Sequence, residues 1–132
     1  MKNQFHRKAK GQSLVEFALV IPILLLVIFG LFDLGYAVFI KNMISNAARE
    51  GARTGIIFTK TDADISARVN AAAPGLNLTP TITPPYPRQF NEPITVTVTY
   101  TYVPLTPVIG GITGSVPLSS TSVMIVEGVI YY

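Results

Sequence analysis

The chain has no cysteine. That excludes a disulfide framework and a thiolate metal site, and it leaves the redox compartment open. Histidine is almost as scarce, the one imidazole being His6. After Lys41 the only lysine is Lys60. Charged residues are 13% of the chain against 49% apolar, a low charge content for a soluble protein. Acid is missing from residues 1–11, which hold four of the ten Lys/Arg (Lys2, Arg7, Lys8, Lys10) and none of the seven Asp/Glu. Setting them aside leaves six basic and seven acidic residues. The formal charge of +3 therefore belongs to the N-terminal stretch and gives no reason to expect a nucleic-acid partner. The same shortages argue against an enzyme. There is no thiol nucleophile, and the acids of the C-terminal part (Asp62, Asp64, Glu92, Glu127) show no pairing pattern. No catalytic residue, cofactor or metal is expected.

What is present is a long apolar run. Phe17 to Ile40 holds 24 residues and one charge, Asp33. As a helix it would span about 36 Å at ~1.5 Å per residue, against a hydrocarbon core of about 30 Å. The uncharged part, Phe17–Phe32, is a little short alone, so Asp33 is expected near the outer interface with Tyr36 on the same helix face. A secretory signal shares the basic start, but this core is too long and no small-x-small site closes it. The basic cluster predicts a cytoplasmic N-terminus and a C-terminal part outside. Pro22 removes one backbone donor and is expected to kink the helix modestly, which membrane helices tolerate. At 132 residues, such a segment leaves room for one small domain.

Glu16 stands at the head of this run. A carboxylate inside a bilayer costs about 2.5–3.5 kcal/mol on insertion scales and calls for a cationic partner. The bland alternative places it at headgroup level. Past the membrane run, Ile40, Ile44, Ala47, Ala48, Gly51 and Gly55 keep spacings of three and four, so the helix is expected to continue. Ala47, Gly51 and Gly55 form a small-residue line that permits close approach of another helix or of the chain's own domain. Glu50 is placed to reach Arg53 on an exposed face.

Two segments carry a resemblance. Lys10-Gly11-Gln12-Ser13-Leu14-Val15-Glu16-Phe17 resembles the short-leader signal of the type IV pilin superfamily. Asn46-Ala47-Ala48-Arg49-Glu50-Gly51-Ala52-Arg53 resembles the hallmark of the TadE-like family, the pseudopilins or minor pilins of tight-adherence (Flp-type) pilus systems. The resemblance covers roughly residues 10–55. It implies cleavage between Gly11 and Gln12 by a prepilin peptidase, an integral-membrane aspartyl protease, with Glu16 becoming the fifth mature residue and serving assembly. The new amine at Gln12, in the same or a neighbouring subunit, is the cation implied for Glu16, although an N-terminal glutamine can cyclise. Arg49, Glu50, Gly51 and Arg53 become a candidate interaction motif, against the plain reading of Arg49, Glu50 and Arg53 as a solvated face. The implied partners are membrane lipid, the prepilin peptidase, other pilin-like subunits and the pilus assembly platform. The implied place is the bacterial inner membrane, with the pilus itself a further site.

The remainder reads as a small exported domain. Thr61 offers an N-cap, with Asp62 and Asp64 in the first turn. Ile65, Val69 and Ala72 give a short amphipathic helix stopped at Pro74-Gly75. Leu78–Thr83, Ile94–Tyr102 and Leu118–Val126 are strand candidates, the second alternating strictly between apolar residues and threonine. Pro107–Gly114 is a Gly-rich loop without a P-loop lysine, able to touch membrane or partner or to fold back over the sheet. The expected fold is α+β. It comprises a leader (1–11), a transmembrane and extended helix (12–57), and a small domain (61–132) with a second helix and a three-stranded antiparallel sheet. A domain of that size without cysteine is marginal and is expected to lean on the helix at 41–55. The rival to a pilin-like subunit is an uncleaved, single-span anchor carrying an extracytoplasmic binding domain.

Overall fold

A computed structural model describes residues 5–127. Lys2 of the basic leader and residues 128–132, the end of the expected domain, lie outside the described residues. One helix, α1 (Phe5–Gly55), carries the leader's end, the apolar run and the extension in 51 residues, passing through Pro22. At ~1.5 Å per residue that makes a rod of roughly 75 Å. It is long and apolar enough to cross a membrane. From Leu14 to Phe29 every side chain except half-buried Ile21 is exposed, although Leu105, Thr106, Pro107 and Ile109 come alongside it at Pro22, Leu25, Leu26 and Phe29.

From Ile40 onward one face of α1 is buried, through Ile44, Ala47, Ala48, Gly51, Ala52 and Gly55. The small-residue line thus approaches the chain's own domain. A Cβ on Gly51 would meet Val69 Cγ2 at 2.5 Å and Val96 Cγ1 at 3.2 Å. On Gly55 it would meet Ile94 Cδ1 at 2.3 Å and Ile65 Cδ1 at 3.1 Å. These two glycines are the sockets into which the second helix and the sheet fit.

The second helix, α2 (Asp62–Ala72), starts with a capping box: Asp64 N–H donates to Thr61 Oγ1 at 3.3 Å and Thr61 N–H to Asp64 Oδ2 at 2.9 Å. Ile65 and Val69 are its fully buried residues, each stabilising by about 1.5–3 kcal/mol through apolar burial. Strands β1 (Thr81–Thr83), β2 (Pro93–Tyr102) and β3 (Val116–Ile125) form one antiparallel sheet in the order β1-β2-β3. Ile94 faces Met124, Val98 faces Ser120 and Tyr102 faces Val116 across the central pair. Ile94, Val96 and Val98 are fully buried in the core they share with α1, while Thr99 and Thr101 face outward. The α+β architecture and the three-stranded antiparallel sheet are as the sequence predicts, and α1 supplies one wall of the core.

Two elements differ from expectation. The first strand shrinks to Thr81–Thr83. Leu78 is instead clamped by one side chain: its N–H donates to Asn70 Oδ1 and its carbonyl accepts from Asn70 Nδ2, both at 2.9 Å. The amide replaces a strand partner. The Gly-rich segment is a helix, α3 (Pro107–Thr113), with Pro107 in its first turn. Proline is pre-set for that position, and this outweighs the poor propensity of Gly110 and Gly111.

Candidate assembly site

Three stations along α1 gather the polar residues. At the first, Gly11, Gln12 and Glu16 are exposed. Gln12 Nε2 donates to Glu16 Oε1 at 3.4 Å, one helical turn away. A Cβ on Gly11 would meet nothing within 4 Å. Among the described residues no hydrogen bond or ion pair joins Glu16 to the small domain. The peptide bond between Gly11 and Gln12 lies within the continuous helix.

The second station is Asp33, which the sequence places near the outer interface and leaves without a partner. It is buried. Leu105 N–H donates to Asp33 Oδ1 at 2.7 Å, Thr106 N–H to Oδ2 at 3.3 Å and Tyr102 O–H to Oδ1 at 3.4 Å. The Thr106 hydroxyl also donates to Oδ2. Tyr102 O–H further reaches the Asp33 carbonyl at 3.1 Å. Such a carboxylate carries its own solvation shell, made of the chain between β2 and α3, which offsets the cost of holding charge away from water. The clue in the sequence was the pairing of Asp33 with a Thr preceding Pro107. It is intelligible only once β2 brings residues 102–106 back to the helix.

The third station spans residues 46–53, and its candidate motif divides. Arg49 and Arg53 are exposed, whereas Gly51 is buried under α2 and β2. Glu50 pairs with Arg68 of α2 rather than with Arg53: Arg68 Nη2 and Nε donate to Glu50 Oε2 at 2.6 and 3.1 Å. Those hydrogen bonds, with the charges of Arg68 and Arg53, hold the Glu50 carboxyl below its ordinary range. The expected Glu50–Arg53 pair is therefore corrected. Arg68 follows buried Ile65 by one turn, so it rims the α1–α2 contact where Glu50 emerges. Asn46, Arg49 and Arg53 share the outward side of α1, opposite Ala47 and Gly51. Among the described residues neither arginine is in an ion pair.

Residues 11–53 match the TadE-like protein family. The TadE-like segment begins at the glycine of the first station and ends at Arg53 of the third, so one rigid helix holds everything the family model recognises. The small domain lies beyond it. The match covers about a third of the chain and likens that segment to TadE-like proteins, and the apolar helix fits a membrane-anchored protein. No curated protein and no solved structure matches the chain.

Arg88 was not anticipated either. It is buried, donating from Nε to the Pro84 carbonyl at 3.1 Å and from Nη1 to the Lys60 carbonyl at 2.9 Å, with an ion pair to Asp62. It ties the proline-rich loop to the start of α2 and is part of the scaffold. Among the described residues no three His, Asp or Glu side chains gather as metal ligands.

Proposed function

We propose that the chain is a non-catalytic minor pilin or pseudopilin of a tight-adherence pilus, made as a precursor and cut by a prepilin peptidase between Gly11 and Gln12. The carrying observation is the first station: a glycine and a carboxylate five residues apart, both exposed, at the head of a membrane-length helix matched to the TadE-like family. Glycine inside a helix costs roughly 0.5–1 kcal/mol relative to alanine. Gly11 is thus a local weak point where the chain opens for the peptidase. The N-terminus lies in the cytoplasm and the domain outside the inner membrane. The amine released at Gln12 supplies the cation for Glu16, displacing the weak Gln12 amide contact. Arg49 and Arg53 form the second contact, reaching acidic groups of a neighbouring subunit or of the assembly platform. The assembled subunit supports surface adhesion or secretion.

The test is the intact mass of the membrane-extracted protein, with and without co-expressed prepilin peptidase. A peptidase-dependent loss matching residues 1–11, abolished in Gly11→Ala, is the expected result, and the same spectrum reads any cyclisation of Gln12. An unchanged full-length mass, with the peptidase active on a control substrate, would instead support the uncleaved anchored domain.

A further inference from the structure

The segment between β2 and β3 does not shield the sheet. It runs down beside α1. Ile109 Cδ1 would lie 3.9 Å from a Cβ on Gly30, and Leu105, Thr106, Pro107 and Ile109 share a groove of about 500 Å3 with Pro22, Leu25, Leu26 and Phe29. Gly30 is thirteen residues beyond Phe17, which puts it roughly 20 Å along the helix. A hydrocarbon core measures about 30 Å, so whether its near edge is set at Phe17 or its far edge at Asp33, α3 sits roughly 5–10 Å inside the boundary on the domain's side. Its chemistry suits that depth. No charged residue occurs from Val103 to Val126. Val103, Leu105 and Ile112 point outward, Ile112 with 76% of its surface exposed.

The backbone suits it as well, because hydrocarbon offers no partner to a free donor. Pro104 and Pro107 have no N–H, and the N–H groups of Leu105 and Thr106 are taken by Asp33. Gly110 and Gly114 donate to Thr106 and Gly110 carbonyls, both at 2.9 Å. The Thr113 hydroxyl donates to the Ile109 carbonyl at 3.0 Å.

We propose that the arm of residues 103–114 is embedded in the bilayer leaflet on the domain's side, with a lipid acyl chain filling the groove between α3 and α1. At this depth the groove opens on acyl chains rather than on water, and apart from Thr106 every residue lining it is apolar. The proposal rests on α1 spanning the membrane.

The native chain has no tryptophan, so single tryptophans report without background. The full chain carrying Ile112→Trp, Ile109→Trp, Leu31→Trp or Thr81→Trp is placed in phosphatidylethanolamine–phosphatidylglycerol vesicles at low protein-to-lipid ratio. Lipids bearing doxyl groups along the acyl chain serve as quenchers. Leu31 shares the depth of α3 on an open face of α1, and Thr81 lies in an exposed position on the sheet. Ile112→Trp and Ile109→Trp should lose as large a share of emission as Leu31→Trp, while Thr81→Trp keeps its own. If Leu31→Trp is quenched and Ile112→Trp is not, embedding is overturned while the membrane span stands. If only Ile109→Trp escapes, the acyl chain in the groove is overturned. An unquenched Leu31→Trp removes the span itself, and the proposal with it.

Discussion

Two single residues decide how the domain meets the helix. At Gly51 an added methyl would press on Val69 Cγ2, and a β-branched side chain has little rotamer freedom with which to retreat. At Gly55 the obstruction is Ile94 Cδ1, the far end of a longer chain. Overpacking typically costs about 1–3 kcal/mol, while glycine to alanine in a helix returns up to about 1 kcal/mol. Gly51→Ala is therefore expected to lower the melting temperature of the detergent-solubilised chain. Gly55→Ala should lower it less, and near-ultraviolet circular dichroism at Tyr100 and Tyr102 would follow both. Asp33→Ala leaves the Leu105 and Thr106 N–H groups and the Thr106 hydroxyl without their acceptor, at roughly 1–3 kcal/mol for each group that stays buried and unpaired, while the Tyr102 hydroxyl keeps the residue 33 carbonyl. The expected outcome is faster proteolysis between Val103 and Thr113, with cleavage in α2 unchanged. If limited proteolysis shows both regions loosening together, the three contacts do not act locally as described.

At the scale of elements, α2 is fastened by carboxylates at both ends of its contact. Glu50 is held low in pKa by the Arg68 hydrogen bonds, and Asp64 by the Thr61 N–H and hydroxyl. A carboxyl with a depressed folded pKa adds stability above its unfolded pKa and loses that contribution as pH falls through the folded value. Protection of α2 in hydrogen exchange should thus be flat through neutral pH and begin to fall below the ordinary Glu value of 4.5. Glu50→Gln should remove part of that acid sensitivity and leave the part belonging to Asp64. Much of this architecture was legible beforehand. The period of α1, the Thr61 cap and the alternation of β2 are local patterns. What was hidden depends on distant chain returning to α1. Arg68 displaced Arg53 as the partner of Glu50, Asn70 stood in for part of β1, and residues 102–106 closed over Asp33. In each case the contact joins separate stretches of the chain, and no periodicity announces that.

At the scale of the molecule, the upper part of α1 is clad by the domain, while Leu14–Val20 is bare. Processing and assembly should separate along this division. Glu16→Gln is expected to be cut normally by the peptidase, as read by intact mass, yet to lower pilus output counted in sheared-fibre preparations. Arg49→Gln with Arg53→Gln should also leave cutting unchanged while lowering output, because both side chains point away from the domain; the melting temperature should fall only slightly, through loss of the Arg53 charge near Glu50. A double variant that assembled fully would remove the outward arginines from the proposed contact.

The continuity of α1 also has a mechanical meaning. From Glu16 to Gly55 there is no loop and no change of element, so the two are held about 58 Å apart at ~1.5 Å per residue. The domain is bolted to this shaft at Asp33, Gly51 and Gly55 rather than hung from its tip. A thrust applied at the Glu16 end reaches the domain along a single element, with no loop between them to absorb it. Any machine that lifts the foot of this helix by one step lifts its head by the same step.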